Sequence, residues 1–259
     1  MMMSAAESHK TTGFVLKSLS YGESDLIVTF YCREFGKING IAKGAKRSKK
    51  RFANVFEPFS LTRIIFSRKN RDALAFIESC DVIDHYPVIR QDLEKTLTAS
   101  YFIDLTDHFS MEGKFNENLF SLLADFLALL TKENVSDTAV RFFEMRLLKI
   151  TGFEPALAAC VRCKNPVING GTYYFYPKEG GIFCTACARP QRYDQHVSSG
   201  TVRTLLLGKD MEMEKMKMVS MPERLASESR SILCGFISYV LGKEVKSLRV
   251  MEQVRRYCP

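Results

Sequence analysis

The sequence predicts an α+β chain: a small N-terminal β-barrel, then a helical domain into which a cysteine module is inserted. Three observations predict it. Apolar residues alternate with period two through roughly the first eighty positions, the period changes to about 3.6 after Tyr86-Pro87, and two C-x-x-C pairs interrupt the helical part. The expected divisions are residues 1–84 for the barrel and 85–259 for the helical domain, with the module at about 155–190. A chain of 259 residues that is 46% hydrophobic is long enough and apolar enough for a packed core.

Within the barrel, Phe14 and Leu16, then Leu26, Val28 and Phe30, fall on alternate positions, and Gly13, Gly22, Gly36 and Gly40 mark breaks. Further strands are expected over Ile38–Lys43, Phe59–Phe66 and Leu74–Val82, with Glu57-Pro58 opening the fourth. Five short strands suit a small closed barrel, and their number leaves an OB-type and an SH3-like barrel both open. Between the third and fourth strands runs Lys43-Gly44-Ala45-Lys46-Arg47-Ser48-Lys49-Lys50-Arg51. Its six cations, Lys43, Lys46, Arg47, Lys49, Lys50 and Arg51, come without a single acid. Such a run can neutralise successive phosphates and release counterions without reading base identity. Gly40 to Ser48 fails the G-x-x-x-x-G-K-[ST] spacing, so no nucleotide loop is inferred. Tyr31, Phe35, Phe52 and Phe56 interleave with this region as candidate stacking platforms, but aromatic side chains of small barrels fill the core, and that is the fate expected of each.

Beyond Tyr86-Pro87, Leu93, Leu97, Tyr101, Leu105 and Phe109 lie on one helical face that Gly113 ends. Two more helices are expected, from Asn116 to about Lys132 and from Asp137 to Ile150, the second ended by Gly152. The helical pattern resumes at Thr201–Gly208, with Ser198 as N-cap, and from Pro222 to about Lys246; Met211 to Met221 reads as a connector.

Between these helices stand Cys160 and Cys163, then Cys184 and Cys187, with Tyr173–Tyr176 and Ile182–Phe183 as brief strands around the Pro177-Lys178-Glu179-Gly180-Gly181 turn. Each C-x-x-C turn aims two thiolates at one point, and two such turns complete the tetrahedron of a structural zinc ion. A lone pair would suit a redox dithiol; two pairs at this spacing suit one Zn2+, held for the fold and not for a reaction. His196 is expected to be an ordinary surface imidazole. Cys32, Cys80 and Cys234 read as small buried hydrophobes.

Lysine and arginine total 37 against 29 acids, a net charge of +8 that favours a polyanionic partner. The polar start of the chain lacks a secretory core, and no segment approaches the ~18 apolar residues of a membrane span, so a cytosolic protein without membrane contact is expected. No catalytic constellation is visible: His85, His108 and His196 lie in different segments, and Asp104, Asp107 and His108 read as a polar patch without a nucleophile. An enzyme is therefore not expected. The rival to a DNA-binding protein is a zinc-ribbon transcription or RNA-binding factor, for which the module is poorly equipped. Arg162, Lys164 and Lys178 are its only cations between Cys160 and Cys187.

The order of these parts, the Lys43 to Arg47 loop, the Arg141-Phe142-Phe143-Glu144-Met145-Arg146-Leu147-Leu148 helix, Gly152-Phe153-Glu154-Pro155 and Tyr176-Pro177-Lys178-Glu179-Gly180-Gly181 together resemble the bacterial recombination-mediator family RecO over nearly the whole chain. The resemblance implies an OB-fold domain, a helical domain bearing zinc, binding to single- and double-stranded DNA, and ATP-independent annealing of complementary strands in recombinational repair. It implies as partners RecR and the C-terminal tail of single-stranded-DNA-binding protein, and with them RecA loading in the nucleoid of a bacterial cytoplasm. The six cations of the basic run match the family's DNA-contacting loop in character, and Arg141 and Arg146 are the nearest candidates for the acidic tail. Members lacking the four cysteines point to a zinc that serves the fold.

Overall fold

The computed structural model describes residues 7–48, 50–70, 73–134, 136–189, 195–216 and 218–257. The chain divides into two compact units, Met1–Thr131 with Val254–Pro259, and Lys132–Gln253.

The first unit begins with five strands: β1 (Ser8–Tyr21), β2 (Asp25–Cys32), β3 (Gly36–Ala42), β4 (Leu61–Ser67) and β5 (Ala75–Asp84). They close into a barrel in the order β1-β2-β3-β5-β4, antiparallel throughout except for β3 beside β5. This is an OB-like barrel. Strand β1 is long enough to serve two neighbours, pairing Gly13–Tyr21 with β2 and Ser8–Phe14 with β4, and a bulge between Val15 and Lys17 bends it from one to the other. The alternation read at Val28 and Phe30 fills the interior, where Val15, Ile38, Ile64 and Phe66 join them in one cluster; in β1 the phase is the reverse of that expected, Val15 facing the core and Phe14 packing outside it against Phe120. Strand β4 starts later than expected, because Phe59 takes a positive φ of 55° and leaves Glu57-Pro58 in the turn before it.

Helices α1 (Pro87–Arg90), α2 (Leu93–Phe109) and α3 (Glu117–Lys132) complete this unit. The Asp92 carboxylate caps α2 by accepting from the Lys95 N–H. Phe120 of α3 packs on the outside of the barrel, 5.0 Å from the Phe14 ring and 6.5 Å from that of Tyr31. Lys37 donates to the Asp107 carboxylate at 3.1 Å, and Asp104 meets His108 at 3.3 Å. What read as a polar patch is thus a strut between barrel and helix. Gly36 is required here: its φ is +65°, and a Cβ would lie 2.1 Å from the Lys114 carbonyl oxygen.

The second unit contains α4 (Asp137–Ile150), a three-stranded sheet of β6 (Thr172–Tyr176), β7 (Gly181–Cys184) and β8 (Gln195–Ser198) in the order β7-β6-β8, then α5 (Ser199–Asp210), α6 (Met213–Met216) and α7 (Glu223–Leu241). The third sheet strand was not expected, nor was a further helix after the one expected from Pro222 to about Lys246. Gly242, at φ 66°, ends α7, and the chain starts again as α8 (Lys246–Tyr257). Gly208 lets α5 approach α4 closely, since a Cβ would stand 2.1 Å from the Phe142 ring. Among the described residues no helix is long and apolar enough to cross a membrane.

Candidate nucleic-acid interface and metal centre

The basic run lies between β3 and β4 and is built, not loose. Gly44 adopts a left-handed φ of 70°, which opens a single 3-10 turn over Ala45–Arg47. The Asp25 carboxylate accepts from the Gly44 N–H at 2.8 Å and from the Ser24 hydroxyl at 3.0 Å. The Lys46 backbone N–H donates to the Ser24 carbonyl at 2.9 Å, and its ammonium to the Gly22 carbonyl at 2.8 Å. At the far end the Ser48 hydroxyl accepts from the N–H of both Arg51 and Phe52, and the Arg51 guanidinium donates to the Lys43 carbonyl at 2.7 Å. The run is therefore pinned to the β1–β2 turn at its start and closed on itself at its end.

Lys43, Lys46, Arg47, Lys50 and Arg51 are all exposed, and Lys49 lies outside the described residues. Arg47 meets Glu23 at 3.5 Å, with both side chains largely in solvent, so the pair holds little. Phe52 and Phe56 are buried in the barrel core, as expected, whereas Tyr31, 1% exposed, is buried on the outer surface of the barrel beside Phe120. Phe35 is partly buried against the same core. None of these four is exposed as a platform. The residue that sequence reasoning missed is Asp25, and the turn residues Gly22 to Ser24 with it.

Asp25 carries its own test. The Gly44 N–H and the Ser24 hydroxyl, helped by Lys43 and Lys46, hold its carboxyl below the usual carboxylate range against a small opposing burial. A folded-state value lowered in this way contributes stability above the unfolded value, and that contribution is lost as pH falls through the folded one. Following the Gly44 amide by NMR through an acid titration should therefore give a midpoint below the ordinary aspartate value of about 3.9. A midpoint at or above it would contradict the bond.

The four cysteines converge. The Sγ atoms of Cys160, Cys163, Cys184 and Cys187 all lie within 4.8 Å of one another, and those of Cys163 and Cys184 are 3.7 Å apart. A disulfide would need about 2.05 Å. A tetrahedron of Zn–S bonds of about 2.3 Å gives sulfur separations of about 3.8 Å, so the set fits a tetrahedral thiophilic ion. Each C-x-x-C forms a tight turn: the Lys164 N–H donates to the Cys160 carbonyl with Lys164 at φ 61°, and the Cys187 N–H donates to the Cys184 carbonyl. Burial opposes a thiolate at Cys160, but the N–H groups of Cys163, Cys184 and Arg162 outweigh it and bring the thiol to about 6. Cys187, bonded first to Cys184, is pushed up to about 12. Backbone donors of this kind are the outer shell that a thiolate ligand set needs. His196 is exposed, 4.5 Å from the Tyr174 ring, and outside the cluster. Cys32 and Cys80 are buried in the barrel core, whereas Cys234 is only half-buried and accepts from Arg141.

Arg141 does not present a cation to solvent. Its side chain is 1% exposed and meets Glu144 at 2.9 Å inside the second unit. The residues around it on α4 are buried on every side, which leaves an external acidic tail no access to its guanidinium. Arg146 is half-buried, donating from Nε to the Gly208 carbonyl at 3.0 Å and from Nη2 to the Met211 carbonyl. Its planar fork links α4 to the end of α5.

Two family models cover this architecture: Recombination protein O N terminal matches residues 3–86, and Recombination protein O C terminal matches residues 90–249. A protein of Syntrophus aciditrophicus named DNA repair protein RecO is 50% identical over 98% of this chain and 99% of its own. The chain belongs to the RecO family. RecO proteins of Oceanobacillus iheyensis, 31% identical over 96% of this chain, and of Anaeromyxobacter sp. (strain K), 30% identical over 95%, share the same extent. The RecO family serves DNA repair and recombination, its N-terminal model falls on the barrel, and its C-terminal model spans the four-cysteine cluster.

Proposed function

We propose that this RecO-family chain is a recombination mediator that binds single- and double-stranded DNA and anneals complementary strands without ATP, with the barrel, residues 1–84, as its DNA-binding domain and residues 85–259 as its helical domain. The observation that carries the reading is the pinned, exposed basic run. Lys43, Lys46, Arg47, Lys49, Lys50 and Arg51 neutralise phosphates on two strands, lowering their mutual repulsion so that bases can pair. Held in place beforehand, the run loses little conformational freedom on binding. Zn2+, bound by Cys160, Cys163, Cys184 and Cys187, braces the helical part and takes no step in the DNA chemistry. RecR, the C-terminal tail of single-stranded-DNA-binding protein, and RecA loading are the partners and outcome proposed from the family, in a bacterial cytoplasm at the nucleoid. The tail's contact is not assigned to Arg141, whose guanidinium is held by Glu144. Annealing of complementary oligonucleotides, bare and coated with single-strand-binding protein, tests the proposal. The chain should accelerate both without nucleotide, and strand pairing no faster than the spontaneous rate in either case would refute it.

A further inference from the structure

The outer face of the barrel carries an apolar row that crosses four strands. Strand registers set Leu19 beside Ile27, Ile27 beside Ile41, and Ile41 beside Phe76. The core residues of these strands, Val28 and Ala75 among them, have the opposite phase, so the row points outward. Leu19 is 48% exposed, Phe76 is 37% exposed, and Ile27 and Ile41 are partly so. Further along the same outer surface the barrel is covered, Phe14 and Tyr31 lying under Phe120. Among the described residues, those of the row are left at least partly open to solvent.

Its charged surroundings indicate the occupant. Exposed Lys17 stands on the same face of β1 as Leu19, and Ile41 is followed two residues on by exposed Lys43, where the basic run begins. Lys46 is bonded to Gly22 and Ser24 at the turn that leads from Tyr21 back to Ile27, so the run and the row adjoin. Of the described acids nearby, Asp25 accepts from Gly44 and Ser24, Glu23 meets Arg47, and Glu78 accepts from the Ser8 hydroxyl. An apolar strip ending in an aromatic ring and bordered by the exposed cations Lys17, Lys43 and Lys46 is complementary to a chain with flat apolar faces on one side and phosphates on the other.

Resting on the DNA-binding reading above, we propose that the Leu19, Ile27, Ile41 and Phe76 row is the bed for the unpaired bases of single-stranded DNA, with Phe76 as a stacking surface, while the basic run holds the phosphates. A duplex keeps its base faces stacked inside and meets only the run. The row thus discriminates single strands from duplex, and releases a strand once it has paired.

The chain contains no tryptophan, so Phe76→Trp places one reporter in the row. Its fluorescence should be quenched by an oligo(dT) and left unchanged by a duplex of equal length. Phe76→Ala should weaken oligo(dT) binding about tenfold, leave duplex binding as it was, and leave the salt dependence unchanged, because no phosphate contact is removed. Equal quenching by duplex, or oligo(dT) affinity of Phe76→Ala equal to that of the unaltered chain, would overturn the proposal. Self-association lost in Phe76→Ala with DNA binding intact would likewise overturn it, marking the row as a protein interface. A Lys46, Arg47, Lys49, Lys50→Ala variant measured alongside separates the two readings: if it loses affinity and Phe76→Ala does not, only the row is refuted. If neither loses affinity, the basic-run reading fails with it.

Discussion

Replacing Cys184 by serine is expected to remove most of the bound zinc and to lower the melting temperature of the helical part by many degrees. Its sulfur stands 3.7 Å from that of Cys163, and the four Sγ atoms share one 4.8 Å neighbourhood, so three thiolates cannot close the tetrahedron. The module has little apolar core of its own to fall back on. Of the apolar side chains between Pro155 and Cys187, those of Leu157, Cys160, Tyr173, Phe175 and Ile182 are buried, and two of the strands that place them, β6 and β7, lead into the second cysteine pair. Structural zinc contributes on the order of 10 kcal/mol in small zinc-folded peptides, comparable with the about 5–15 kcal/mol stability of a whole domain. Metal content and thermal unfolding measured on one sample check this. Full metal with an unchanged melting temperature would show that the cluster is not the ligand set. DNA affinity through the barrel should change far less than metal content, since the basic run is pinned within its own unit.

Changing Lys46, Arg47, Lys49 and Lys50 to alanine should leave the barrel folded and slow annealing sharply. Lys46, Arg47 and Lys50 are exposed and lie outside the core; the change removes the Lys46 ammonium bond to Gly22 but leaves the Lys46 N–H to Ser24, the Gly44 N–H to the Asp25 carboxylate, and the Ser48 hydroxyl that accepts from Arg51 and Phe52. Single-strand and duplex affinity should fall together by one to several orders of magnitude at about 0.1 M salt, the cost of losing four phosphate contacts. Circular dichroism confirms the fold, and unchanged annealing with unchanged affinity would remove the run from the mechanism.

Much of this architecture was legible because its signals are local. Alternation at Leu26, Val28 and Phe30 marked β2, and helix limits followed from Ser198, Gly152 and the apolar face of α3. Two C-x-x-C pairs bring their own geometry, so the cluster could be read before it was seen. The basic run was found by composition alone. What holds it was not, because Asp25 lies far upstream and resembles any aspartate at a turn until β2 and β3 pair. The bulge at Val15 was hidden for the same reason: nothing in β1 shows that it must serve two neighbours.

Arg141 shows a signal that was present and went unread. Val140, Phe142, Phe143, Met145, Leu147 and Leu148 surround it, a helix apolar on all sides, and such a helix is buried with whatever charge it carries. Glu144, three residues on, is the partner that burial demands. The outward row likewise announced itself as apolar residues out of phase: Leu19, Ile27 and Ile41 fall where a half-buried strand should be polar.

The central claim, that the barrel holds DNA through the phosphates bound by its basic run, is tested most directly by single-strand affinity across a salt series. Six cations each meeting one phosphate predict a log–log slope near about −4, at about 0.7 per contact, and the four-alanine variant should be shallower by about 3. A slope that is small in the unaltered chain, or the same in both proteins, would contradict it.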